Sequence, residues 1–133
     1  MIEIEQLIKQ AIDIKKNSYS PYSNFRVASV VKTRTGKTYK GVNIENAAYG
    51  PSLCAERSAL SSAITDGEME FEYIVINGDS YDTFPCGVCR QFILEFADKD
   101  TKIVIANSED DYSIYTMEEL LPHSFSSKDL ENL

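Results

Sequence analysis

The chain has 133 residues, 43% of them apolar, and a formal net charge of −8. That length suits one domain with a real core, expected to span residues 1–133, and is too short for two. No apolar run reaches a membrane span and no basic-then-apolar leader opens the chain, so the expected location is cytoplasmic with no membrane partner; the acidic balance also speaks against nucleic acid, whose phosphates are bound mostly by Lys and Arg.

Ile4, Leu7, Ile8, Ala11 and Ile12 recur at helical spacing within residues 3–16 and predict one amphipathic helix. The turn-rich Tyr19-Ser20-Pro21-Tyr22-Ser23-Asn24 should end it. Phe25 to Val31 reads as a strand, Thr35-Gly36-Lys37 as a hairpin turn, and Thr38 to Ile44 as the returning strand. Ala47 to Leu53 is a loop, after which Cys54 opens a helix that Asp66-Gly67 stops near Thr65. A strand over Phe71–Ile76, a helix over Gly87–Ala97 and a strand over Lys102–Ala106 follow. Tyr112–Tyr115 is a short fifth strand, and Thr116-Met117-Glu118-Glu119 is a capping box for a short helix before Pro122. This order predicts an α/β fold. The hairpin supplies antiparallel strands and the later strand–helix alternation a parallel pairing, so the sheet should be mixed.

All three cysteines lie in two short stretches, Leu53-Cys54-Ala55-Glu56-Arg57 and Pro85-Cys86-Gly87-Val88-Cys89-Arg90. An odd number suits reduced thiols or a metal better than a disulfide framework. A structural zinc normally takes four protein ligands, whereas a catalytic one takes three and keeps a position for water. Cys54, Cys86 and Cys89 fit the second pattern. Both stretches sit where a loop feeds a helix, and a helix N-terminus lowers thiol pKa, which favours the thiolate that zinc binds. Residues two apart on a helix do not share a face, so Glu56 is expected to stay off the metal and move protons at its water. Three thiolates overcompensate a divalent cation. Arg57, and to a lesser degree Arg90, is placed to offset that charge by hydrogen bonds to sulfur. His123, the sole histidine, reads as a surface residue; as a fourth ligand it would turn the site into a non-catalytic zinc module. Asn43 and Glu45 should project to one side of an extended stretch, with Ile44 turned to the core, offering an amide and a carboxylate to sugar hydroxyls.

Cys-Ala-Glu followed by Pro-Cys-x-x-Cys is the signature of zinc nucleobase deaminases. Together with Tyr19-Ser20-Pro21-Tyr22-Ser23-Asn24-Phe25, Gly41-Val42-Asn43-Ile44-Glu45-Asn46-Ala47-Ala48-Tyr49, Pro85-Cys86-Gly87-Val88-Cys89-Arg90-Gln91 and Glu119-Leu120-Leu121-Pro122, it resembles the cytidine deaminase family, in its short, homotetrameric, three-cysteine branch. The resemblance implies a three-layer α-β-α fold with a mixed sheet of about five strands, and Zn²⁺ held by Cys54, Cys86 and Cys89. It also implies hydrolytic deamination of cytidine and deoxycytidine in pyrimidine salvage, with Glu56 as proton shuttle. Phe25 would pack on the pyrimidine ring and Asn43 and Glu45 would bind the ribose. The backbone at Ala55 and Cys86 would meet the base and the nucleophile, and Tyr49 and Phe125 would contribute across subunit contacts. After Phe25-Arg26-Val27 the family usually has Gly-Ala. Here Ala28-Ser29 stands, as in a related deaminase of the nucleoside antibiotic blasticidin S, which is the alternative substrate. An acidic chain argues against a polynucleotide-editing deaminase.

Overall fold

The computed structural model describes residues 2–131. Helix α1 (Ile2–Ile14) ends in a 3₁₀ turn and is followed by β1 (Val27–Thr33), β2 (Thr38–Val42), α2 (Ala55–Thr65), β3 (Phe71–Gly78), α3 (Gly87–Phe96), β4 (Lys102–Ser108), β5 (Asp111–Tyr115) and α4 (Met117–Leu120). The five strands form one sheet in the order β2-β1-β3-β4-β5. β1 pairs antiparallel with β2 and with β3, β3 runs parallel to β4, and β5 returns antiparallel on β4. Gly36, at φ +97, supplies the left-handed residue that the β1–β2 turn requires.

Alternation along the strands decides the layers. Ala28, Val30, Tyr73, Val75, Val104 and Ala106 point to one face, where Ile4, Leu7, Ile8 and Ala11 of α1 cover them. Val31, Phe71, Ile74, Ile76, Ile103 and Ile105 point to the other, under Ala59, Leu60 and Ala63 of α2, Ile93 of α3 and Met117 and Leu120 of α4. Both sheet faces are buried, which is why β3 and β4 read as near-continuous apolar runs instead of alternating ones. The expected three-layer arrangement around a mixed five-stranded sheet is the one observed.

Two side chains depart from the sequence reading. Ile12, on the expected stripe of α1, is 38% exposed, while Ile14 in the same last turn packs against the core. Ile44, expected in the core, is 44% exposed. The chain leaves the sheet after Val42, and Ile44 forms only isolated bridges with Tyr19 and Leu53, so no layer covers its outer side. The strand expected to open at Phe25 opens at Val27 and runs on to Thr33.

β2 approaches α2 unusually closely. A Cβ built on Gly41 would lie 2.4 Å from the Ala59 nitrogen and 2.7 Å from the Ala55 carbonyl oxygen. Only a residue without a side chain admits that approach, and it fixes the height of the first turn of α2 over the sheet.

Candidate active site

Cys54 and Cys86 are the N-caps of α2 and α3, both in extended backbone, so two helix N-termini deliver sulfur to one region. Ligand-capable atoms of Cys54, Glu56 and Cys89 all lie within 4.8 Å of one another. Cys86 Sγ is 3.4 Å from Cys89 Sγ, near the roughly 3.8 Å that separates two thiolates on a tetrahedral zinc with Zn–S of about 2.3 Å. The Cys89 N–H lies 3.5 Å from Cys86 Sγ and donates to it. Glu56 faces the sulfurs because Cys54 is not helical. The rule that residues two apart diverge applies inside a helix and not across its cap.

Cys54 Sγ and Cys89 Sγ lie in direct contact, with Cys86 Sγ beside Cys89. The Cα atoms of Cys54 and Cys89 are 7.0 Å apart, just beyond the usual disulfide span of about 4.4–6.8 Å. Convergence of the two helix ends brings these sulfurs face to face, and the same convergence is what a metal uses. Zinc takes thiolates, so the reduced pair is the metal-binding form. Three sulfurs and a carboxylate at two helix N-termini form a donor set that fits zinc, with the carboxylate free for proton chemistry.

Glu56 is 3% exposed. Burial pushes its carboxyl up from the usual range, against smaller lowering effects of its own backbone N–H and of Arg57. Arg57 donates from Nε to Cys54 Sγ at 3.2 Å and from Nη2 to the Ser52 carbonyl at 3.0 Å, tying the sulfur to the loop before it. Arg90 does not reach sulfur. Its Nε donates to the Pro85 carbonyl at 2.8 Å and its Nη1 to the Leu120 carbonyl at 2.6 Å, so it anchors the Cys86 turn to the end of α4.

Asn43 and Glu45 flank the Ser18–Phe25 loop. The Asn43 amide donates to the Phe25 carbonyl at 2.9 Å, and its oxygen accepts from the Val27 N–H at 3.0 Å and from the Ser18 hydroxyl. Glu45 accepts from the N–H groups of Tyr22 and Ser23 at 3.0 and 3.1 Å and from the Ser23 hydroxyl. These bonds hold its carboxyl below the usual range, with the Ser23 hydroxyl the largest cause. Neither residue simply ends a strand in solvent. Glu45 and Tyr49 line one hollow of about 430 Å³ with Tyr22, Ser23, Asn46 and Ser52, and Ser52 lies two residues before Cys54. Phe25 is half-buried at the rim of the loop. Ala55 is buried in the first turn of α2. Tyr49 is 88% exposed and Phe125 61%; the Phe125 carbonyl accepts from Gln91 of α3 at 2.9 Å, which lays the tail along that helix. His123 is exposed and lies outside the sulfur cluster.

The sequence reading missed the supporting residues Ser18, Ser23, Asp79 and Gly41. Each acts through a partner distant in the chain, and the only local signal was the turn composition around Ser18–Asn24 and Asn77–Ser80.

Residues 1–106 match the family described as the cytidine and deoxycytidylate deaminase zinc-binding region. A cytidine deaminase of Mycoplasma genitalium is 38% identical, over 93% of this chain and 96% of its own. One of Halalkalibacterium halodurans is 38% identical, over 96% and 98%. The crystal structure of cytidine deaminase from Burkholderia pseudomallei superposes with a TM-score of 0.85 at 38% identity, covering 90% of this chain and 97% of that one. The sulfur cluster lies within the matched residues, and the chain belongs to the cytidine and deoxycytidylate deaminase family.

Proposed function

We propose that the protein is a zinc-dependent deaminase converting cytidine and deoxycytidine, with water, to uridine and deoxyuridine and ammonia. The observation that carries this reading is the meeting of three cysteine sulfurs with the buried Glu56 carboxylate at the N-termini of α2 and α3. Cys54, Cys86 and Cys89 would hold the ion. Bound zinc supplies the Lewis acidity that makes water a competent nucleophile near neutral pH. Glu56, its carboxyl raised by burial, would take the proton of the attacking water as its oxygen bonds to C4, pass that proton to N3, and carry the second proton from the C4 hydroxyl to the amine as the C4–N bond breaks and ammonia leaves. Arg57 withdraws charge from Cys54 and holds it in place.

The sugar reading follows from what remains of Asn43 and Glu45 after their loop bonds. The Asn43 oxygen has two donors and its amide one acceptor, leaving one N–H; Glu45 keeps acceptor capacity on the oxygen facing Ser23. One donor beside one acceptor suits a hydroxyl. Ala28 and Ser29, the departure shared with the blasticidin S enzyme, are both fully buried in β1, and the Ser29 hydroxyl donates to the Val75 carbonyl at 2.8 Å. Their effect falls on core packing, which leaves cytidine the favoured substrate.

One sheet covered on both faces supports a single catalytic domain over residues 1–133. We further read the chain as a cytoplasmic homotetramer working in pyrimidine salvage, with Tyr49 and Phe125 completing neighbouring sites. Their exposure supports this, and among the described residues no helix is long and apolar enough to cross a membrane. Absorbance assays with cytidine, deoxycytidine, cytosine and blasticidin S, run beside a zinc determination, test the proposal. The two nucleosides should be turned over by protein carrying one zinc per chain, and cytosine, lacking the sugar, only very slowly. Turnover of blasticidin S alone, or full activity without zinc, would overturn it.

A further inference from the structure

Asp79 follows the last residue of β3, in a stretch that reads from sequence as an ordinary loop. Its backbone N–H donates to the Arg26 carbonyl at 3.0 Å, extending the β1–β3 ladder past both strand ends. Its carboxylate then accepts three bonds from the same residue: Arg26 N–H at 2.8 Å and Nε at 3.0 Å on one oxygen, and Nη2 at 3.1 Å on the other. Lys15 pairs with the second oxygen at 3.3 Å and also donates to the Gly78 carbonyl at 3.3 Å. One carboxylate therefore ties together the end of α1, the entry to β1 and the exit from β3.

What it holds is the peptide between Phe25 and Arg26. Phe25 is gripped on its other atoms as well, its N–H by Ser23 Oγ at 3.1 Å and its carbonyl by Asn43 at 2.9 Å. Just before it, Asn24 sits at φ 58, a left-handed conformation that Asn tolerates but does not prefer. A loop entering through such a residue needs outside contacts to keep one geometry. The Arg26–Asp79 fork is bidentate and planar, so it fixes direction as well as distance. Hydrogen bonding to Arg26, with smaller help from Lys15, holds the Asp79 carboxyl down to about 2, so it stays charged wherever the enzyme works.

We propose that Asp79 is a positioning residue of the active site, fixing the Phe25–Arg26 peptide and through it the Phe25 ring against the pyrimidine of the substrate. This rests on the reading of Phe25 as the ring contact. Asp79 touches neither metal nor substrate, so its removal should act on substrate binding and spare the zinc.

The test is a double-mutant cycle in the zinc-loaded, full-length protein, with Asp79→Asn, Phe25→Leu and the pair, reading kcat and KM for cytidine, zinc content and melting temperature. Asp79→Asn should raise KM roughly tenfold with little change in kcat and keep one zinc per chain. Phe25→Leu should raise KM as well, and the pair should be no worse than Phe25→Leu alone, because the first change acts through the second residue. Should Asp79→Asn not fold, Arg26→Ala removes the fork from its half-exposed partner and enters the same cycle with the same expectation. A wild-type KM in Asp79→Asn while Phe25→Leu is impaired, or effects that multiply in the pair, would overturn the proposal alone. A silent Phe25→Leu would overturn the ring contact and the proposal with it.

Discussion

At the residue scale the proposed chemistry centres on Glu56, which lies buried beside the Cys54 and Cys89 sulfurs. The residue before α2's first turn is extended, which swings Cys54 back over the helix end. Glu56→Gln keeps the size and the hydrogen-bonding shape of the side chain but cannot take a proton. It should retain zinc and fold while kcat falls by about 10²–10⁴, the share usual for general acid–base catalysis. Turnover near the wild-type rate would remove Glu56 from the proton path. Of the candidate site, the two cysteine stretches and Glu56 stood out in the sequence because each stretch is marked by spacing within a few residues. The loop-holding contacts of Asn43 and Glu45 did not, since their partners lie about twenty residues upstream and are chosen by the tertiary fold.

At the element scale the position of α2 depends on Gly41 and the position of the Phe25 loop on Asp79. Gly41→Ala would place a methyl group against α2 backbone, at 2.4 and 2.7 Å from atoms that cannot swing aside. Overpacking of this kind costs about 1–3 kcal/mol. Because α2 carries Cys54 and Glu56, the same displacement should weaken zinc retention. Urea unfolding together with metal release to a chelator measures both, and a variant with wild-type stability and wild-type metal retention would contradict the close-packing argument. For Asp79 the expectation concerns pH. Its folded value, about 2, lies below its ordinary value of 3.8. The stability it contributes is therefore present above about pH 4 and is lost as pH falls toward 2. The difference in urea midpoint between wild type and Asp79→Asn should be constant from pH 7 to about pH 5 and shrink between pH 4 and 2. A difference independent of pH across that window would show that the charge is not what Asp79 contributes.

At the scale of the whole molecule, several large apolar side chains are left outside the two cores. Tyr22 and Tyr49 line the hollow that Glu45 and Ser52 also border, and Phe125 stands out from a tail tied to α3. On the proposed tetramer these groups close a neighbour's site, so assembly and activity should fall together. Sedimentation of the wild type should give four chains. Phe125→Ala should shift the distribution to smaller species and lower activity, without lowering zinc content per chain. A fully active monomer would exclude shared sites.

Residue spacing alone determined most of the elements. The apolar period of α1, the hairpin at Gly36, the capping box at Thr116 and the two cysteine-led helix starts are local patterns, and local backbone physics is enough to read them. The tertiary structure decided everything that depends on two distant segments meeting. It left Ile44 on the surface, because no layer covers the chain after β2, and turned Arg90 from the sulfurs to the backbone of α4. It brought Asp79 against Arg26, fifty-three residues away, since the register of β1 on β3 sets which loop ends face each other, and no composition or period within either loop encodes that register.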